Sequence, residues 1–163
     1  MLHTGTLSAL AEFPERLEDF FKAVPERFIR WAPQSWEGIP SESLTALEQL
    51  CHVRDIEVDG YQLRFRRLLD EANPLLASID GYALVRERAY AQADAGEVLA
   101  AFRAARAATI ELLRGLSTRQ LARQGTFEDY GPVTVEGLAH YLCSHDQQHL
   151  AGLQWLLGKT QVA

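Results

Sequence analysis

Two histidines lie four residues apart near the end of the chain, in segment 145–149, which reads HDQQH. Side chains at this spacing on a helix share one face, one turn apart. The pair belongs to a stripe typical of a helix packed into a bundle, with spacings of 4, 3, 4, 3 and 4: Leu138, Leu142, His145, His149, Gly152 and Leu156. The two imidazoles therefore occupy positions where the pattern predicts core residues.

Buried imidazoles need partners for their ring nitrogens, because burying an unpaired polar group costs free energy. A divalent metal ion shared by the pair would satisfy one nitrogen of each ring. The alternative is a pair of core histidines that are hydrogen-bonded to neighbouring groups. The spacing alone leaves both interpretations open.

The composition favours one globular domain spanning residues 1–163, with 47% hydrophobic and 23% charged residues. Sixteen basic against 22 acidic residues give a net charge of −6, and no basic cluster supports nucleic-acid binding. No segment has the roughly 18 apolar residues of a membrane helix, and the N-terminus lacks a signal-peptide pattern. We therefore expect a cytoplasmic protein that binds no membrane. Cys51 and Cys143 form no C-x-x-C pair, which predicts buried reduced thiols.

Helical periodicity and capping residues predict four main helices and no strands, hence an all-α four-helix bundle. The first covers about 7–28, interrupted by Pro14 and Pro25, and the second begins at Ser41 or Ser43 and ends near residue 71. The third begins at Asp94 and ends at 113 or 114, and a short extra turn follows at 117–120. The last helix, capped by Thr134, ends at 158. We predict loops at 31–43 and 125–132 and irregular structure at 72–93.

A catalytic metal site usually takes three protein ligands and leaves one position open. The zincin motif H-E-x-x-H takes its third ligand downstream, but no His, Asp, Glu or Cys follows His149, and Asp146 is shorter than the required Glu. The third ligand must therefore come from upstream. His140 faces away on the helical wheel and His3 lies in a terminus expected to fray, so elimination leaves His52.

Three carboxylates lie near His52 on the second helix: Glu48, Asp55 and Asp59. One of them could orient an imidazole or accept a proton during catalysis. Considered singly, each is better explained as a solvated helix charge.

The order of these residues, one His in the second helix and H-x-x-x-H in the last, resembles the DinB/YfiT-like superfamily. Trp36 before the His52 helix and segment 130–134, YGPVT, add to a resemblance that covers about residues 10–158. The resemblance implies an up-down-down-up four-helix bundle, a divalent metal held by three histidines, and frequently a homodimer. Carried onto this chain, the ligands are His52, His145 and His149.

An open position on such an ion supports hydrolysis through an activated water, or S-transfer through a bound low-molecular-weight thiol. The resembled family includes both kinds of enzyme, so we expect an enzyme acting on a small-molecule substrate. Three imidazoles suit zinc or nickel foremost, with iron or copper as alternatives. No carboxylate-recognition pair is evident, although Arg54, Arg64 and Arg86 could supply one. The alternative function is a non-catalytic, dimerising metal-binding protein, for which a fourth protein ligand would be expected.

Overall fold

Four long helical elements form the predicted bundle in the computed structural model, which describes residues 1–163. The helices are α1 (Thr4–Ala23), α2 (Ala46–Asp55), α3 (Leu63–Asp70), α4 (Gly81–Glu87), α5 (Ala95–Arg114), α6 (Thr118–Leu121) and α7 (Val135–Thr160). A π-helical segment, Ile56–Gln62, joins α2 to α3, so that the two form one long element. The four long elements of the bundle are therefore α1, the joined α2 and α3, α5 and α7. Both α1 and α2 pack against α5 and α7. None of the helices is both long enough and apolar enough to span a membrane.

The first helix differs from its prediction at both ends. His3 is not frayed, because its side chain caps α1 by accepting a hydrogen bond from the amide of Thr6. The helix ends at Ala23, and Glu26–Phe28 forms a separate 3-10 turn after Pro25. Pro14 lies inside α1, where its missing N–H leaves the carbonyl of Leu10 without its usual helical partner.

The second helix begins at a different cap from the predicted serines. Thr45 caps α2 in a reciprocal box, in which its hydroxyl accepts from the amide of Glu48 and the Glu48 carboxylate accepts from the amide of Thr45. The predictions for the later helices are confirmed: Asp94 caps α5, the short α6 follows Ser117, and Thr134 caps α7. The last helix ends two residues beyond Gly158.

The prediction that the chain contains no strands was wrong. Strands β1 (Leu75–Leu76), β2 (Gln124–Phe127) and β3 (Gly131–Thr134) form a small sheet, with β1 parallel and β3 antiparallel to the central β2. Gly125 and Pro132 made this region resemble a loop, yet a proline is tolerated because β3 is an edge strand. Region 72–93 contains β1, α4 and a 3-10 turn at Tyr90–Gln92. The sheet adds Phe127 of β2 and Val133 of β3 to the apolar cluster that contains Phe65 and Leu68 of α3.

The apolar core divides into two clusters, and a polar layer lies between them. On α7 one cluster ends at Leu142 and the other begins at Leu150, while on α5 they are separated between Phe102 and Ile110. The buried polar residues of these intervals and of the long element formed by α2 and α3 are Gln49, His52, Asp55, Glu57, Arg64, Arg106, Thr109, Asp146 and His149. Buried polar groups at one level of a bundle require mutual pairing or a ligand. This layer therefore defines where the functional site lies.

Candidate metal centre

The three predicted histidines converge within the polar layer. His52 on α2 and His145 and His149 on α7 each offer a ring nitrogen within 4.8 Å of the others. The Nε2 atoms of His52 and His145 are 3.2 Å apart. Two imidazole nitrogens bound to one tetrahedral zinc ion at about 2.0–2.1 Å lie about 3.3 Å apart. The spacing of these two nitrogens therefore fits one shared divalent ion, and the third imidazole lies close enough to complete the set.

Three ring nitrogens in this cluster lack a hydrogen bond to the chain. The Nδ1 atoms of His52 and His145 and the Nε2 atom of His149 are sealed from solvent and form no hydrogen bond. Burial lowers the pKa of all three histidines below the ordinary value, and for His145 and His149 the nearby imidazoles lower it further. The rings are therefore neutral near pH 7, which is the form that binds a metal.

A buried amide fixes the orientation of His149. Its Nδ1 is hydrogen-bonded to Oε1 of Gln49, so its Nε2 faces the cluster. The Gln49 side chain is itself held, because its Nε2 donates to Ser41 Oγ at 2.9 Å and to the carbonyl of Leu44 at 3.3 Å. A hydrogen bond to the distal nitrogen is the usual way in which proteins orient a metal-binding imidazole. Sequence reasoning missed Gln49, although it lies three residues before His52.

Two glycines allow the surrounding backbone to approach the site closely. A Cβ atom at Gly152 would contact Ser41 Oγ and lie 2.9 Å from Gln49 Nε2. A Cβ atom at Gly81, the first residue of α4, would lie 2.7 Å from Cε1 of His52. Any side chain at these positions would displace His52 or the Gln49 amide, so the predicted stripe of α7 needs its glycine at 152.

Replacing Gln49 by leucine should lower zinc affinity about 10-fold to 100-fold, the usual effect of removing an orienting partner of a metal-binding imidazole. The leucine keeps the approximate volume but cannot accept the Nδ1 proton of His149. Competition with a chromophoric chelator would measure the change. The matched control is Gln148→Leu, an exposed glutamine on α7. Equal zinc affinity in Gln49→Leu and wild type would show that the amide does not orient the ring.

The three carboxylates expected near His52 are engaged elsewhere. Glu48 completes the cap of α2. Asp55 accepts from Tyr90 Oη at 2.6 Å and pairs with Arg54 and Arg88, and Asp59 lies 2.7 Å from Arg88. None of the three contributes to the histidine cluster.

Glu42, from the loop before α2, is the carboxylate that approaches the imidazoles. Its Oε2 lies 3.2 Å from Nε2 of His149, and its Oε1 lies 3.7 Å from Nε2 of His52. No periodic signal marks Glu42 in the sequence, because its position depends on how the loop folds over α7. Trp36 of the same loop stacks on Trp155 of α7, with ring centroids 6.1 Å apart.

A cavity of about 120 Å³ opens beside the cluster. Its lining combines the imidazoles with aromatic and charged side chains: Glu42, His52, Ile56, Tyr61, Arg64, Ser78, Ile79, Phe127, Tyr130 and His145. A larger groove of about 590 Å³ between α1 and α5 contains none of the histidines. The smaller cavity is therefore the place where a small molecule could reach a metal ion. Its wall includes Phe127 of β2, one of the strands that the sequence did not predict.

Comparisons with known proteins agree with this architecture. A family model described as the DinB superfamily matches residues 9–153. The chain is also similar to a solved structure described as YfiT from Bacillus subtilis, a probable metal-dependent hydrolase with an unusual four-helix bundle topology. That likeness has a TM-score of 0.83 and 21% identity, and it covers 98% of this chain and 87% of the other. At this identity it shows the fold. No curated protein matches the sequence.

Proposed function

This chain belongs to the DinB superfamily, and we propose that His52, His145 and His149 bind one divalent metal ion at which a small molecule is hydrolysed. The observation that carries the proposal is the convergence of three ring nitrogens within 4.8 Å beside a cavity. Three protein ligands beside an accessible space are the usual arrangement of a catalytic rather than a structural zinc site. The description of YfiT as a probable metal-dependent hydrolase supports hydrolysis over S-transfer.

The protein side chains divide the remaining tasks between them. A divalent ion, when bound, would polarise a substrate oxygen and lower the pKa of a coordinated water to about 7. Glu42 is the only carboxylate that lines the cavity and approaches two of the imidazoles, so we assign it the role of proton acceptor. Gln49 keeps His149 in place. The aromatic side chains that line the cavity, Tyr61, Phe127 and Tyr130, limit how much solvent enters it.

A non-catalytic site is the second candidate, and the position of Glu42 favours it. Because Glu42 Oε2 lies 3.2 Å from His149 Nε2, a small shift could bring the carboxylate into the coordination shell as a fourth ligand. A shell closed by three imidazoles and one carboxylate would be structural. The two candidates therefore differ in what Glu42 does.

Metal analysis tests the ligand set. Inductively coupled plasma mass spectrometry of tag-free protein should find about one metal ion per chain in wild type, because the three imidazoles form one site. We expect the metal to be lost in His52→Ala. The control His140→Ala removes an exposed histidine of α7 and should retain the metal. Absence of metal from wild type after dialysis against zinc or nickel, or full occupancy in His52→Ala, would contradict the proposal.

Glu42→Gln separates the two candidates. If Glu42 accepts a proton, the variant should keep its metal while ester hydrolysis falls about 10²-fold to 10⁴-fold, the usual contribution of general acid–base catalysis. A panel of nitrophenyl esters would measure the rate. Weaker metal binding in Glu42→Gln, together with no hydrolysis by wild type, would support the non-catalytic site. Zinc or nickel as the native metal, and homodimer formation, stay predictions.

A further inference from the structure

The chain contains two buried arginines, and only one of them is paired with carboxylates. Arg106 contacts both Glu57 and Asp146. Arg64 is only 5% exposed, yet it forms no ion pair with any residue of the chain. A buried charge without an opposite charge is costly, which favours a ligand that supplies one.

The hydrogen bonds of Arg64 occupy one edge of its guanidinium group. Its Nε and Nη2 atoms both donate to the carbonyl of Ala77, at 3.1 and 2.8 Å. The remaining edge, which carries one N–H from Nη1 and one from Nη2, donates to no group in the chain. Two parallel N–H groups in a plane match the two oxygens of a carboxylate.

The π-helical segment provides the space for this group. A Cβ atom at Gly60 would lie 2.8 Å from Nη1 of Arg64, so a larger residue would push the guanidinium out of position. Single π-helical turns inside longer helices occur frequently at functional sites. The π-helical segment therefore leaves room at Gly60 for the guanidinium group of Arg64.

Arg64 lines the same cavity as His52 and His145. Its guanidinium carbon lies 4.5 Å from the ring centroid of Phe127 and 5.4 Å from that of Tyr61. Burial lowers the pKa of Arg64 below its ordinary value, and only the two neighbouring tyrosines, Tyr61 and Tyr130, oppose the shift. A cavity of about 120 Å³ is somewhat smaller than an engineered protein cavity of about 150 Å³ that binds benzene, and so suits a short ligand.

We propose that Arg64 binds the carboxylate of a short-chain substrate through its unused edge, which places the rest of that molecule against the histidine cluster. The substrate class is then a small molecule bearing one carboxylate, with the bond to be hydrolysed directed at the imidazoles. The reaction rests on the proposed function, but binding of the carboxylate does not require the metal.

Ligand-observed NMR titration of propionate against chelator-treated protein tests the proposal. Wild type should bind propionate in preference to propionamide, its neutral analogue. Arg64→Met should weaken propionate binding about 10-fold to 100-fold, as expected for losing charge-assisted hydrogen bonds. Arg64→Lys keeps the charge but not the planar fork, so its affinity should be intermediate. The control Arg66→Met removes an exposed arginine of the same helix and should bind as wild type does.

Several outcomes would overturn the proposal. These are equal affinity for propionate and propionamide, wild-type propionate affinity in a folded Arg64 variant, and tighter binding of inorganic phosphate than of propionate. If Arg64→Met does not fold by circular dichroism, Arg64→Lys carries the same comparison. Because the titration uses metal-free protein, its result is independent of the metal analysis, and either idea can fail while the other stands.

Discussion

Replacing Arg106 by methionine should destabilise the protein by about 3–5 kcal/mol, the usual effect of removing one partner from a buried ion pair. The Arg106 guanidinium donates to Asp146 at 2.7 and 2.9 Å and to Glu57 at 3.2 and 2.9 Å. Methionine would leave both carboxylates buried without a cation. Urea unfolding followed by circular dichroism would measure the change.

Arg106 also satisfies a backbone group that α1 cannot. Its Nη1 donates to the carbonyl of Leu10 at 3.0 Å, which is the carbonyl deprived of its helical partner by Pro14. The variant would therefore leave an unpaired buried carbonyl as well as two unpaired carboxylates, so we expect its effect near the upper end of the range. One side chain thus joins α1, α5, α7 and the π-helical segment.

Two controls distinguish this network from a general effect of charge. Arg103→Met removes an exposed arginine of α5 that pairs with Glu18, and it should cost no more than about 1 kcal/mol. Combining Arg106→Met with Glu57→Leu and Asp146→Leu should recover much of the lost stability, because buried apolar replacements of ion pairs are often neutral. If Arg106→Met were as stable as Arg103→Met, the buried network would not stabilise the fold.

The sequence was sufficient to predict the three-histidine cluster, for identifiable reasons. His145 and His149 interrupt a clear apolar stripe, and helix periodicity alone places them on one face. Elimination identified His52, because His3 and His140 were the only other histidines available. The neighbouring groups were not predictable in this way. Glu42 reaches the imidazoles through a loop, and Gln49 is recognisable only once α2 is known to pack against α7.

The bundle was predicted correctly, but the secondary structure of some segments was not, because their local signals and tertiary contacts disagree. Glycine and proline made 125–132 resemble a loop, yet pairing with β1 stabilises β2 as the centre of a sheet. Asp146 was considered only as a counterpart of the zincin glutamate, whereas its partner is Arg106, 40 residues away in sequence. Burial raises the pKa of Asp146 to about 7 despite that partner. Long-range pairing of this kind leaves no periodic mark in a sequence.

Removing the metal should lower the melting temperature of wild type by about 8–16 °C when the comparison uses free zinc about 1,000-fold above its dissociation constant. At that excess a ligand that binds only the folded state adds about 4 kcal/mol of stability, and a domain of this size shifts by about 2–4 °C per kcal/mol. Zinc would also give a partner to Nε2 of His149, which is otherwise buried without a hydrogen bond. Differential scanning fluorimetry with zinc or with chelator would measure the shift.

The size of the shift within each variant, rather than its absolute melting temperature, identifies the ligands. His149→Ala removes a ligand and should show little difference between zinc and chelator, whatever stability the substitution itself costs. His140→Ala should keep the wild-type shift, because that exposed imidazole lies outside the cluster. Equal shifts in His149→Ala and wild type would mean that zinc stabilises the fold from another site, and the convergence of the three imidazoles would then need a different explanation.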